Sequence, residues 1–137
     1  YCSDKMVSDF ISWVKEQDFY DNTTIIITGD HPTMQNNFYK LDNGYKRTVF
    51  NTFINVYNDN NVRNKNRIFT TMDMFPTTLG AIGVNIEGNR LGIGTNLFSD
   101  SKTLAEEMGI DKLNTELKKN SAYYYQYIRK NEDKEKK

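Results

Sequence analysis

The sequence contains few of the residues that usually mark covalent stabilisation or metal chemistry. Its 137 residues include one cysteine, Cys2, and one histidine, His31. A single cysteine excludes an internal disulfide framework, and it leaves the cellular compartment undecided. No apolar run approaches the roughly 18–20 residues that a membrane-spanning helix needs. A metal site within this chain could therefore draw on only one imidazole.

The charges give no bulk electrostatic argument for binding to a polyanion. Eighteen basic residues balance 18 acidic ones, whereas proteins that bind nucleic acid or anionic membranes usually carry an excess of basic residues. We therefore expect no nucleic-acid partner. The composition, 37% hydrophobic and 13% aromatic, is typical of a packed globular protein. The length suits one domain with a modest core.

The start of the chain is compatible with a fragment and with a complete small domain. The sequence opens at Tyr1 and enters a helix-like pattern within three residues. We expect this chain to be part of a longer protein. A processed terminus, or a trimmed but complete small domain, is the alternative.

The first half of the sequence predicts half of an α/β unit. Apolar residues at three- and four-residue spacing between Met6 and Val14 predict a helix, which Ser3 or Asp4 can cap. Residues 23–28 are apolar at their centre and rich in β-branched side chains, which predicts a strand buried on both faces, as in a parallel sheet. Residues 48–57 predict a second strand. Residues 32–47 and 58–66 are polar and predict loops.

A helix is predicted after the second loop. Thr71 or Asp73 can cap it, and Pro76 falls in its first turn, where the missing N–H costs little. Gly83 can end it in a left-handed conformation. The glycine-punctuated residues 87–96 then predict turns.

Two further helices are predicted near the end of the chain. Thr103 and Glu106 have the spacing of a capping box, and Gly109 can stop the short helix that they begin. A longer helix is predicted over residues 111–130, and we interpret its tyrosines as a packing face rather than a nucleic-acid stacking platform. Residues 131–137 form a charged tail that we expect to be disordered.

One motif points to chemistry. The apolar strand ends in Gly29, Asp30 and His31, and ligand-binding residues of α/β sheets gather just past the carboxyl ends of strands. A carboxylate oxygen and a neutral imidazole nitrogen suit a divalent ion such as Zn or Mn. The alternatives at this point are a turn or helix cap for Asp30 and a surface or structural role for His31.

The rest of such a site is hard to find in the sequence. A catalytic metal site needs about three or four protein ligands. Asp42 lies in a turn signature and Asp73 is better explained as a helix cap, so neither is a convincing third ligand. No serine or threonine is marked as an activated nucleophile, and the "GIG" of residues 92–94 is too weak a signal for phosphate binding. The sequence therefore predicts half of a metal site within this chain.

These residues resemble a known family. "SDFISWVKEQDFYDNTTIIITGDH" resembles the C-terminal stretch of sulfatase-like catalytic domains in the alkaline phosphatase superfamily. The Gly-Asp-His form is similar to the lipoteichoic acid synthase and phosphoglycerol transferase branch. "RIFTTMDMFPTTLGAIGVNIEGNRLGIGTNLFS" resembles the closing segment of the same branch. The likeness extends over most of the chain and implies the C-terminal portion of an α/β sandwich domain, residues 1–130.

The resemblance also implies an activity for the whole enzyme. Members of this branch transfer phosphoglycerol from the head group of phosphatidylglycerol to a polymer or glycan acceptor. A threonine attacks phosphorus, and a divalent metal, usually Mn with Zn or Mg possible, activates it. Asp30 and His31 match the last two metal ligands of the family. The nucleophile and the other ligands lie upstream in the family, so no catalytic nucleophile is assigned here, not even the nearby Thr33.

Location and alternatives follow from the same likeness. It implies an enzyme on the extracytoplasmic face of the bacterial cell membrane, with a membrane tether upstream of this chain. A related hydrolase or a phosphoethanolamine transferase would share the two ligands but not the substrate. A non-catalytic α/β interaction module that binds a partner through an exposed sheet edge is the alternative of another class.

Overall fold

The computed structural model describes residues 2–31, 48–57 and 66–129. The predicted loop over residues 32–47, most of the loop over residues 58–66 and the tail over residues 131–137 lie outside the described residues. The helices are α1 Cys2–Lys15, α2 Met74–Ala81, α3 Leu104–Met108 and α4 Ile110–Leu117, and the strands are β1 Ile25–Thr28, β2 Asn51–Ile54, β3 Arg90–Leu91 and β4 Gly94–Thr95. Short 3-10 turns lie at Tyr20–Asn22, Thr71–Asp73 and Glu87–Asn89, and a π-helix lies at Tyr124–Arg129. Within these described ranges, no helix is long and apolar enough to span a bilayer.

Helix α1 confirms the first predicted helix, but most of its apolar stripe is on the surface. Asp4 in the first turn and Lys15 in the last turn complement the helix dipole. Val14 is its one buried residue. The apolar side chains that remain exposed are Met6, Val7, Phe10 and Trp13. Phe10 and Trp13 stack on each other, with ring centroids 5.9 Å apart.

The two predicted strands are present, but they pair in a different way from the prediction. β1 and β2 run antiparallel, with Ile25 opposite Ile54 and Thr28 opposite Asn51. In the described part of the chain this sheet has two strands only, so β1 keeps one open edge and its isoleucines are half-buried. The prediction of a parallel strand buried on both faces is therefore wrong for the described residues. A run of isoleucines specifies a strand but not the direction of its partner.

Helix α2 begins and ends at the signals that the sequence predicts. A capping box between Thr70 and Asp73 opens the preceding turn, and Pro76 lies buried in the first turn of the helix. Gly83 follows the helix with a φ of 87°, the left-handed conformation that glycine adopts without a steric penalty.

The core beside α2 is built largely from polar side chains. Asp73 is 2% exposed, and its Oδ1 accepts a hydrogen bond from the Thr95 backbone N–H at 2.8 Å, while its Oδ2 accepts one from the Thr70 N–H at 2.8 Å. The Thr77 hydroxyl donates to the Asp73 carbonyl at 2.6 Å and accepts from the Leu97 N–H at 3.0 Å. These bonds fasten β4 and the chain after it to the start of α2. Asp73 directly precedes α2 as predicted, but its carboxylate completes the capping box of the preceding turn and makes no cap hydrogen bond to α2.

Helix α3 follows its prediction, whereas the long final helix does not form. Thr103 and Glu106 make the predicted capping box, and Gly109 ends α3. The helix predicted over residues 111–130 is interrupted, because α4 ends at Leu117. Ser121 instead starts a new helical segment, since its hydroxyl accepts the Tyr124 N–H at 3.1 Å. The tyrosines of that segment are exposed, so the predicted packing face is not found among the described residues.

An ion pair between Arg67 and Glu106 joins α3 to the chain before α2. The guanidinium donates two hydrogen bonds to the carboxylate, one from Nε to Oε1 at 3.1 Å and one from Nη2 to Oε2 at 2.6 Å. It also donates to the carbonyls of Leu97, Ser99 and Ser101. The arginine side chain is 10% exposed and the glutamate 20%. Hydrogen bonds from Arg67 lower the pKa of Glu106 from 4.5 to about 2, although burial partly opposes this shift.

Glu106 is expected to make folding stability depend on acid pH. Because its pKa is lowered in the folded state, its stabilisation is present above about pH 5 and is lost as the pH falls toward 2. At pH 7, Glu106→Gln is expected to cost about 2 kcal/mol, and this cost should shrink steadily as the pH falls through that range. Urea denaturation of both proteins across this pH range measures the difference. The neighbouring Glu107, which pairs with Arg90 at a more exposed position, is the control, and Glu107→Gln should cost about 0.5 kcal/mol. A cost for Glu106→Gln that does not change with pH would contradict the ion-pair explanation.

Candidate metal centre

The end of β1 is held firmly against β2. The Gly29 N–H donates to the Phe50 carbonyl at 2.8 Å, which extends the ladder one residue past the strand. A Cβ on Gly29 would lie 3.2 Å from the Val49 Cβ, a contact closer than ordinary van der Waals packing. Glycine therefore allows the close approach of the two chains directly before Asp30.

Asp30 and His31 lie side by side where the chain leaves the sheet. The Asp30 Oδ1 accepts the His31 backbone N–H at 2.7 Å, and this bond fixes the orientation of the carboxylate. The Asp30 Oδ2 lies 3.3 Å from the His31 Nε2. Both side chains are open to solvent, with 84% of the Asp30 side chain and 56% of the His31 side chain exposed. The two groups therefore present an oxygen and a nitrogen together at the surface.

The spacing of these two atoms fits joint coordination of one divalent ion. Metal–oxygen and metal–nitrogen bonds are about 2.1 Å long, so two ligands of one ion lie about 3.0–3.4 Å apart in octahedral or tetrahedral geometry. The 3.3 Å between Oδ2 and Nε2 falls in this interval. Carboxylate oxygen and imidazole nitrogen are also the donor types that Mn and Zn accept. The two residues thus fit the ion that the sequence motif predicts.

Among the residues that the structure describes, none adds a third ligand to this pair. Within residues 2–31, 48–57 and 66–129, no group of three or more His, Cys, Asp or Glu side chains could hold a metal ion. Asp73 is buried and bonded to backbone N–H groups, and Cys2 is exposed on α1. Asp42 and Thr33 lie outside the described residues. The assignment of Asp30 and His31 as metal ligands stays a prediction.

The "GIG" motif has a structural role. Gly92 and Ile93 form the turn between β3 and β4, and Gly92 has a φ of 60°. Gly94 is buried, and a Cβ there would lie 2.0 Å from the Met72 carbonyl oxygen. The interpretation of this stretch as turn chemistry is confirmed. The sequence does not predict the ion pair between Arg67 and Glu106. The only local signal for it is the capping role of the glutamate.

The comparison with known protein families identifies the sulfatase family. The family model described as Sulfatase matches residues 1–84, more than half of the chain. This region includes α1, β1, Asp30, His31 and the whole of α2. No curated protein and no solved structure matches the chain significantly.

Proposed function

The chain belongs to the sulfatase family, and from this premise we propose that it is the C-terminal part of a metal-dependent phosphoglycerol transferase of the cell envelope. The mixed helices and strands agree with the α/β fold of that family. Asp30 and His31 are proposed to contribute two ligands to its metal site. The substrate would be a phospholipid head group and the acceptor a glycan or polymer.

The observation that carries the proposal is the geometry at the end of β1. Sulfatase-family enzymes typically use divalent metals, and the oxygen and nitrogen of Asp30 and His31 stand 3.3 Å apart at a strand end. When bound, a divalent ion would neutralise developing charge on a phosphoryl group. Asp30 and His31 would hold that ion from one side. The hydrogen bond from the His31 N–H to Asp30 keeps the carboxylate oriented for this task.

The remaining parts of the site are proposed to come from chain outside these 137 residues. Two ligands cannot complete a catalytic metal site, and the described residues offer no third one. The exposed apolar stripe of α1, and the edge of β1 that no described strand covers, support this proposal, since both would be covered when a larger sheet packs beside them.

The choice of the phosphoglycerol transferase branch depends on two motifs. One is the Gly-Asp-His form of the strand end, and the other is "LGIGTNLFS". In the structure the second motif forms the β3–β4 hairpin and the chain that follows it, fastened to α2 by Asp73 and Thr77. These hydrogen bonds indicate that the motif stabilises the packing of the closing segment of the domain against the start of α2.

Binding of Mn²⁺ to the 137-residue chain tests the ligand assignment. His31 is the only histidine, so its ring gives a single set of imidazole signals in a proton NMR spectrum. We expect paramagnetic Mn²⁺ to bind weakly and to broaden these signals first. Asp30→Asn should weaken this effect by at least about tenfold. Asp18→Asn, which changes an exposed aspartate before β1, should leave it unchanged.

Other outcomes would contradict the proposal. Equal broadening in the parent chain and in Asp30→Asn would exclude Asp30 as a ligand. Transferase or phosphodiesterase turnover by the purified 137-residue chain would exclude the fragment hypothesis, because it would require a complete site. A stable oligomer that forms equally with EDTA and with Mn²⁺, in size-exclusion chromatography, would favour the interaction module instead.

A further inference from the structure

Residues 118–129, called here the tyrosine segment, carry a local positive charge in a chain of balanced charge. The segment contains three basic residues and no acidic one, although the whole chain has 18 of each. Lys119 pairs with Glu116 of α4 at 2.6 Å. Lys118 is exposed, and Arg129 lies at the other end of the segment with its guanidinium carbon 5.5 Å from the centre of the Tyr125 ring. The basic groups therefore flank the aromatic residues on both sides.

The same segment exposes a dense group of large apolar side chains. Between 44% and 67% of the surface of each residue is open to solvent. The residues are Tyr123, Tyr124, Tyr125, Tyr127 and Ile128. The Tyr123 and Tyr127 rings lie against each other at 4.9 Å, and the Tyr124 and Tyr125 rings meet edge to face at 88°. The rings thus form two contacting pairs, both exposed within this short helical segment.

This combination suits the interface of a bilayer. A tyrosine has an apolar ring and a polar hydroxyl, and it concentrates at the level of lipid head groups for that reason. Basic side chains beside it gain energy from anionic lipids, and a short helix with such residues can lie in the plane of the interface. A single-stranded nucleic acid needs ring faces that are open to stacking. Here the rings are packed edge to face or tilted against each other, which favours the lipid surface.

We propose that the tyrosine segment is an interfacial anchor that binds bilayers containing anionic phospholipid. The tyrosine rings and Ile128 enter the head-group region, and Lys118 and Arg129 contact lipid phosphates. This binding goes beyond the proposed transfer reaction and uses neither Asp30 nor His31. It places a membrane contact on a part of the chain that lies after the region matched by the family model.

Co-sedimentation of the 137-residue chain with vesicles tests this proposal. The vesicles contain either phosphatidylcholine alone or phosphatidylcholine with phosphatidylglycerol in about equal amounts. We expect binding to the second kind, and weaker binding at high salt. Replacing both Lys118 and Arg129 by Gln should reduce affinity by about thirtyfold, at about 1 kcal/mol for each charge. Replacing both Tyr123 and Tyr127 by Ser should reduce it by about tenfold or more.

Matched controls separate the segment from general surface effects. Lys112→Gln removes an exposed charge on α4, and Phe75→Ser removes an exposed aromatic ring on α2; both should bind vesicles like the parent chain. Asp30→Asn should also bind normally, so failure of the metal proposal and failure of this one are distinguishable. Circular dichroism melting of each variant checks that its fold is retained.

Three outcomes would overturn the proposal. The first is equal binding to both kinds of vesicle. The second is a reduction in binding by the Lys112 and Phe75 controls that matches the reduction by the segment variants. The third is binding to soluble RNA with no binding to either vesicle, which would identify the segment as a polyanion site.

Discussion

Asp30→Asn in the complete enzyme is expected to reduce turnover by on the order of a thousandfold or more, while the fold is retained. The substitution removes the negative charge that we propose holds a divalent ion, but it keeps an oxygen in the same position. The amide oxygen of the introduced side chain can still accept the His31 N–H, which the Asp30 carboxylate accepts at 2.7 Å. Because the Asp30 side chain is 84% exposed, little packing is lost. Steady-state assays with a fluorescent phosphatidylglycerol analogue, together with metal analysis of the purified protein, measure both effects.

Two further variants sharpen this test. His31→Gln should lose metal and turnover to a similar extent, because the amide is a poor replacement for the imidazole nitrogen. Asp18→Asn makes the same chemical change at an exposed position before β1 and should behave like the parent enzyme. Retention of full activity by either Asp30→Asn or His31→Gln would exclude that residue as a metal ligand.

Gly94→Ala is expected to destabilise the fold by about 3 kcal/mol or more. A Cβ at this position would lie 2.0 Å from the Met72 carbonyl oxygen and 2.8 Å from its carbonyl carbon. Both atoms belong to backbone that Asp73 and Thr95 hold in place through a buried hydrogen bond. The clash can be relieved only by moving β4 away from the start of α2. Urea denaturation followed by circular dichroism gives the free energy of unfolding.

Gly92→Ala is the matched control on the same hairpin. No heavy atom lies within 4 Å of a Cβ at Gly92. The only expected destabilisation is therefore the strain of placing alanine at a φ of 60°. We expect about 1 kcal/mol for it. Similar unfolding free energies for the two variants would show that the close approach at Gly94 is not needed for stability.

The features that the sequence predicted well are those whose cause lies within a few residues. The capping box of Thr103 and Glu106 spans three residues, and the left-handed turn at Gly83 depends on its own φ. Asp30 and His31 are also neighbours in the chain, and their role as metal ligands stays a prediction. The structure adds that the His31 N–H holds the carboxylate and that the two donor atoms are 3.3 Å apart.

The features that the sequence did not predict depend on residues far apart in the chain. Arg67 and Glu106 are separated by 39 positions, and the bond from the Thr95 N–H to Asp73 joins residues 22 positions apart. The direction in which β1 meets β2 is likewise a property of the pair and not of either strand. The interrupted final helix is an exception with a local cause, because Ser121 caps a new segment instead of continuing α4. The spacing of apolar residues in the sequence does not reveal that the Ser121 side chain competes with continuation of α4.

The polar interior beside α2 has a consequence for heat capacity. The largest fully buried side chains in the described part of the chain are threonines, Asp73 and Pro76, whereas its buried apolar residues are two alanines, Val14 and Leu113. Exposure of apolar surface raises the heat capacity of unfolding, and exposure of polar surface lowers it. We therefore expect this interior to contribute little to the heat-capacity change of unfolding, so that cooling weakens it less than it weakens an interior of aliphatic side chains.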